Sequence, residues 1–160
     1  MMDKTVSRRR LVVTGLVLGT GLAAGCSAGG QARAKATAMR VYRDPSCGCC
    51  EAWAKQARQA GFDVVVVDDP DMAGVKRRLG VPDELASCHT AQVADLVFEG
   101  HVPLADVRRV IAAPPRGITG LAVPGMPRGS PGMEMPDGAK DAYEVIAFGP
   151  GRQMVFAKHA

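Results

Sequence analysis

The sequence has no apolar run long enough to cross a bilayer comfortably. Its longest, Leu11 to Gly25, is a glycine-rich stretch of 15 residues, against the roughly 20 that a membrane helix needs. Beyond the first 26 residues there is no excess of one charge. The formal +4 is carried mostly by Lys4, Arg8, Arg9 and Arg10 against Asp3, which leaves the remainder near +1. Nucleic-acid binding therefore has no basic face to rest on. No internal repeat is present. A second Cys-x-x-Cys pair is missing too, and Cys49 and Cys50 are adjacent, which makes one tetrahedral structural zinc site awkward. With 160 residues, a single domain is expected, and part of the length is not domain at all.

The first 26 residues read as an export signal. Met1 to Arg10 is basic, Leu11 to Gly25 is apolar, and Ala23-Ala24-Gly25-Cys26-Ser27-Ala28 is built of small residues. A transmembrane anchor is the competing reading. Ser7-Arg8-Arg9-Arg10-Leu11 resembles a twin-arginine signal, which implies export of an already folded chain. Leu22-Ala23-Ala24-Gly25-Cys26 resembles a lipobox, with Ala23 where a larger aliphatic residue is usual; Cys26 would then carry lipid. Cleavage at Ala32-Arg33-Ala34 or Ala34-Lys35-Ala36 is the alternative. Under either reading Cys26 is outside the metal chemistry. Residues 27–38 are small and polar, a linker, and residues 39–158 are the expected domain. These features predict a periplasmic or cell-envelope location, with membrane contact only through export or a lipid anchor at Cys26.

Within the domain, Met39 to Arg43 alternates like a short strand, and Glu51 to Ala60 is rich in helix formers and closed by Gly61. Val64-Val65-Val66-Val67 predicts a strand buried on both faces. Met72 to Leu79 predicts a second helix, capped by the Asp68-Asp69-Pro70-Asp71 turn. This β-α-β-α order makes the first two strands parallel. Ala91 to Phe98 reads as one further strand, and Leu104 to Ala113 as a third helix ended by Pro114-Pro115. The Gly, Pro and Met content of residues 117–138 predicts a long loop without regular structure. Tyr143 to Phe148 and Gln153 to Ala157, around Gly149-Pro150-Gly151-Arg152, predict a closing hairpin.

Chemistry concentrates in Asp44-Pro45-Ser46-Cys47-Gly48-Cys49-Cys50-Glu51-Ala52-Trp53, which puts three cysteines into four positions. A helix starting here places Cys47 at its N-terminus, where unpaired N–H groups and the dipole favour the thiolate. Cys47 and Cys50 are spaced for a redox pair on one helical face. Cys49 exceeds what a dithiol oxidoreductase needs, and three clustered soft ligands favour a thiophilic metal, Cu(I) above all. Cys88, beside His89, opens a later strand that the fold order brings toward the first helix, so Cys47, Cys49, Cys50 and Cys88 are expected to share one site. Adjacent thiolates suit bridging between several Cu(I) ions. A set of disulfides without metal is the competing reading in an oxidising compartment. Met126, Met133 and Met135 lie in the Gly/Pro loop, either as thioether ligands or as an apolar lid. His89 and His101 are candidate ligands for Cu(II) or partners of ligands; His101 also reads as a turn residue. His159 is expected to play no part.

The motifs together resemble the CopG-type periplasmic copper-resistance proteins, a family long catalogued only as a domain of unknown function. The resemblance runs from about Met39 to Phe156. Besides the Cys47 stretch it rests on Ser87-Cys88-His89-Thr90-Ala91, Glu99-Gly100-His101-Val102-Pro103, Gly120-Leu121-Ala122-Val123-Pro124-Gly125-Met126-Pro127 and Gly129-Ser130-Pro131-Gly132-Met133-Glu134. It implies an α/β, thioredoxin-like three-layer sandwich with a mixed sheet, cysteine-ligated copper, and a role in copper handling or redox conversion alongside copper-export components of the envelope. Cys47, Cys49, Cys50 and Cys88 match the family's cysteines, and Met126 and Met133 its loop methionines. Three functions are in competition. One is copper resistance by holding Cu(I), with interconversion to Cu(II). The second is thiol–disulfide exchange by Cys47 and Cys50 without metal. The third is a copper chaperone, for which the near-neutral domain offers no docking patch. Cys49 and the methionine loop favour copper.

Overall fold

The computed structural model describes residues 36–160; the expected export signal, Cys26 and most of the linker lie outside them. The chain runs β1 (Thr37–Arg43), α1 (Gly48–Gln59), β2 (Phe62–Asp68), α2 (Met72–Arg78), a 3-10 turn (Asp83–Leu85), β3 (His89–Val93), β4 (Leu96–Glu99), α3 (Leu104–Ala112), β5 (Gly120–Ala122), β6 (Tyr143–Gly149) and β7 (Arg152–His159). All seven strands form one sheet in the order β2-β1-β3-β4-β5-β6-β7. β1 and β2 are parallel, as their helical crossover requires. β3 runs antiparallel to β1 and to β4, and β5 is parallel to β4. The expected α/β class with a mixed central sheet is what the chain adopts, and the β1-α1-β2-α2-β3-β4-α3 connectivity is compatible with the thioredoxin-like arrangement.

Alternation along β4 shows how the layers form. Phe98 points into a core with Trp53 and Ala57 of α1, Val107 and Val110 of α3, and Met39, Val41 and Ala91 of the sheet. Its neighbour Val97 points the opposite way, into a smaller core with Val81, Leu85, Ala122 and Phe148. α2 covers that second face, since Lys76 reaches Thr90 and Glu99 there. The result is three layers, with α1 and α3 on one side of the sheet and α2 on the other.

Three sequence expectations are corrected. β2 is not buried on both faces: it is an edge strand paired only with β1, and Val65 is 55% exposed. A β-branched run identifies a strand but not its place in the sheet. The expected strand from Ala91 to Phe98 is a hairpin, reversed at Ala94 in the left-handed region (φ 49°); alanine is not a residue that announces such a turn. The loop expected to lack regular structure contains β5, hydrogen-bonded between β4 and β6. Gly120 belongs there because a Cβ would stand 2.4 Å from both the Phe148 ring and the Val97 carbonyl oxygen. The closing hairpin forms as expected, with an irregularity between Val145 and Ile146.

Candidate metal centre

The site is built at one end of β1. The chain leaves β1 at Arg43 and turns over Asp44-Pro45-Ser46, with the Cys47 N–H bonded to the Asp44 carbonyl at 3.0 Å. α1 then starts at Gly48, earlier than the expected Glu51, and Cys47 is its N-cap. Cys49 and Cys50 thus fall in the first helical turn. Cys47 and Cys50 are joined by a disulfide with Cα atoms 5.5 Å apart, the span one turn allows. Cys50 is wholly buried, whereas Cys49 and Cys88 are free thiols, each part-exposed.

Antiparallel pairing brings the later residues to this point. His89 opens β3 in register with Arg43, so Cys88 arrives beside the α1 N-terminus. The Gly100 N–H bonds the His89 carbonyl at 2.8 Å, which returns β4 to the same end and delivers His101. Cys49 Sγ lies 3.4 Å from Cys47 Sγ and 3.9 Å from Cys88 Sγ. Cys88 Sγ is 3.2 Å from His89 Nδ1 and 3.0 Å from His101 Nε2. Two donor groups result, Cys47-Cys49-Cys50-Cys88 and Cys88-His89-His101, each with ligand atoms within 4.8 Å of one another. Cys88 belongs to both.

Protonation follows from burial. Burial, then the neighbouring His101 and Lys76, hold His89 well below the usual histidine range. Burial also lowers His101, partly opposed by its bond to the Pro131 carbonyl. That bond, 2.8 Å from Nδ1, claims the ring proton and leaves the Nε2 lone pair facing Cys88. Burial foremost, with Cys49 adding to it, pushes the Cys88 thiol up to about 12. His89 stacks obliquely on Trp53 at 4.8 Å between ring centres, and Trp53 Nε1 is tied to the Val102 carbonyl at 3.0 Å. His89 Nε2 is buried without a hydrogen-bonding partner, a cost that a purely structural histidine normally avoids. Soft sulfurs and two neutral imidazoles, with His89 Nδ1 and His101 Nε2 turned to Cys88, fit a thiophilic metal.

The methionine loop borders this cluster at two points. Gly125, preceding Met126, accepts a hydrogen bond from Ser87, which precedes Cys88. Gly132, preceding Met133, packs so closely on α1 that a Cβ would stand 2.9 Å from the Trp53 backbone nitrogen and 3.0 Å from the Cys49 carbonyl oxygen. Met126 is 54% exposed and Met133 is half-buried. Glu134 secures the segment, accepting from Gln56 at 2.7 Å and from the Gly132 N–H at 3.0 Å. His159 stands apart, paired with Asp106 at 2.6 Å and stacked on Tyr143. Sequence reasoning missed the Lys76–Glu99–Thr90 network beneath Cys88. The signal available was a lone carboxylate at the end of an apolar strand, facing the same side as Val97.

Comparison with known proteins bears on this geometry. The family described as "Protein of unknown function, DUF411" matches residues 85–133, a span holding Cys88, His89, His101, Met126 and Met133. No curated protein matches by sequence. Among solved structures, "Copper resistance protein copG- Form 1" is 43% identical, with a TM-score of 0.72, covering 78% of this chain and 98% of its own. Form 2 is 42% identical, with a TM-score of 0.73, covering 78% and 99%. On that likeness over nearly the whole length of those structures, the chain belongs to the CopG copper-resistance family.

Proposed function

We propose that this protein binds copper for copper resistance in the cell envelope, holding Cu(I) among Cys47, Cys49, Cys50 and Cys88 with His89, His101, Met126 and Met133 around them. One observation carries the reading: Cys88 Sγ meets Cys49 Sγ at 3.9 Å and two imidazole nitrogens at 3.0 and 3.2 Å. Sulfur donors retain Cu(I), and neutral imidazoles accept Cu(II), so one thiol adjoining both donor types suits a site that handles both states. Adjacent thiolates bridge, which favours several copper ions per chain. The leader-directed export and a lipid anchor at Cys26 belong to this proposal; among the described residues no helix is long and apolar enough to cross a membrane. Envelope copper-export components are the partners such a role calls for.

The Cys47–Cys50 disulfide supports a redox step. The reduced pair gives two electrons to two Cu(II) ions, forming one S–S bond, releasing two protons and leaving two Cu(I). A dithiol reductant of the envelope then restores the thiols. Metal-free thiol–disulfide exchange by the same pair is the second reading, favoured by the position of Cys47 at the α1 N-cap. Adding Cu(II) anaerobically to reduced protein separates them. The proposal expects one Cu(I) for each thiol lost, with the Cu(I) retained by Cys49, Cys88 and the two histidines while Cys47 and Cys50 are bonded; loss of thiols without retained copper supports simple exchange.

A further inference from the structure

Resting on the proposed copper site, we infer that Glu99, Lys76 and Thr90 form a positioning network that aims Cys88 and His89 at Cys49 and His101. Glu99 is wholly buried at the end of β4. Its Oε1 accepts from Lys76 Nζ at 2.5 Å and from the Ser87 N–H at 2.6 Å, and its Oε2 accepts from Thr90 Oγ1 at 2.6 Å. Lys76 Nζ also reaches Thr90 Oγ1 at 3.2 Å. The two residues held, Ser87 and Thr90, bracket Cys88-His89 on either side, and Glu99 itself stands two positions before His101.

The surroundings leave this segment little alternative. Gly100 (φ 71°) lies so close that a Cβ would stand 2.5 Å from Ser87 Oγ and 2.6 Å from the Val123 carbonyl oxygen. Ser87 Oγ continues the chain of bonds to Gly125, next to Met126. One buried carboxylate therefore fixes the cysteine, both histidines and one end of the loop relative to each other. Stability does not account for it, because apolar residues of similar volume commonly replace a buried ion pair at no loss. What apolar residues cannot do is hold the Ser87 N–H and Thr90 hydroxyl at fixed points.

The test uses Thr90→Val, Thr90→Ser, Glu99→Gln and Lys76→Met in the full chain, with Cu(I) as the probe. Thr90→Val alters no charge and keeps the side-chain volume. It should weaken Cu(I) retention against a chelator about tenfold. In metal-free oxidised protein it should speed Cys88 alkylation several-fold, and Thr90→Ser should restore both. Glu99→Gln and Lys76→Met should move Cys88 alkylation in the same direction as Thr90→Val. A mere charge effect moves those two variants oppositely, and that result overturns the inference. So does a Thr90→Val variant that matches wild type in both readouts while wild type holds copper. Wild-type protein that holds no copper overturns the underlying reading, and the inference with it.

Discussion

Cys49 and Cys88, 39 positions apart in the chain, meet with their sulfurs 3.9 Å apart, and neither takes part in the disulfide. The contact joins the first turn of α1 to the start of β3. It leaves two free thiols facing one another while Cys47 and Cys50 are bonded.

The free thiols differ in their surroundings, and their alkylation should differ accordingly. Cys88 is pushed up to about 12, chiefly by burial, so almost none of it is thiolate at pH 8. With the disulfide intact, Cys49 should react first and Cys88 only slowly, as peptide mapping over time will show. Cys47, expected from its helix-terminal position to react fastest, enters this order only after reduction. Rapid labelling of Cys88 in the oxidised protein contradicts the burial argument.

The methionine loop separates ligand from lid. Met126→Leu with Met133→Leu keeps the apolar volume, so stability should change by less than about 1.5 kcal/mol. If the thioethers bind copper, the double variant should lose Cu(I) affinity while its thiols stay as reactive as before. Equal affinities in a chelator competition would leave a centre of cysteine and histidine alone.

Gly132 (φ 85°) holds that loop against α1 without offering a ligand atom. Gly132→Ala meets both the left-handed backbone and the contacts with Trp53 and Cys49. It should cost more than about 1 kcal/mol and expose residues 129–134 to faster amide exchange. Unchanged exchange there would mean that the loop is held by Glu134 and the Arg128–Asp141 pair instead.

Lys76 and Glu99 form the most buried ion pair among the described residues, 13% and 0% exposed. Lys76→Met strands the carboxylate and should cost about 3–5 kcal/mol in denaturant unfolding. A loss under about 1 kcal/mol would show that water reaches Glu99 once the lysine is gone.

Much of this centre was legible in the sequence because local rules decide it. A helix beginning at the Cys47 stretch aligns Cys47 with Cys50, and β-α-β-α order brings Cys88 to the same end. What stayed hidden depends on partners distant in sequence. Nothing in Val64 to Val67 says that β2 lies at the sheet edge, and nothing in Ala94 says that the chain reverses there. Glu99 reads as part of a turn until Lys76 and Thr90 are seen around it. The loop's path over α1 depends on the fit of Gly132 against Trp53, which no local pattern announces.

The central claim, one copper site shared by four cysteines from two parts of the chain, is tested most directly by metal content. Wild type and Cys88→Ser are reduced and loaded with Cu(I) anaerobically, desalted against a competing chelator, and analysed for copper per chain. Wild type should retain more than one Cu(I), and Cys88→Ser should retain fewer and release them faster. Equal copper content in the two proteins contradicts the shared site.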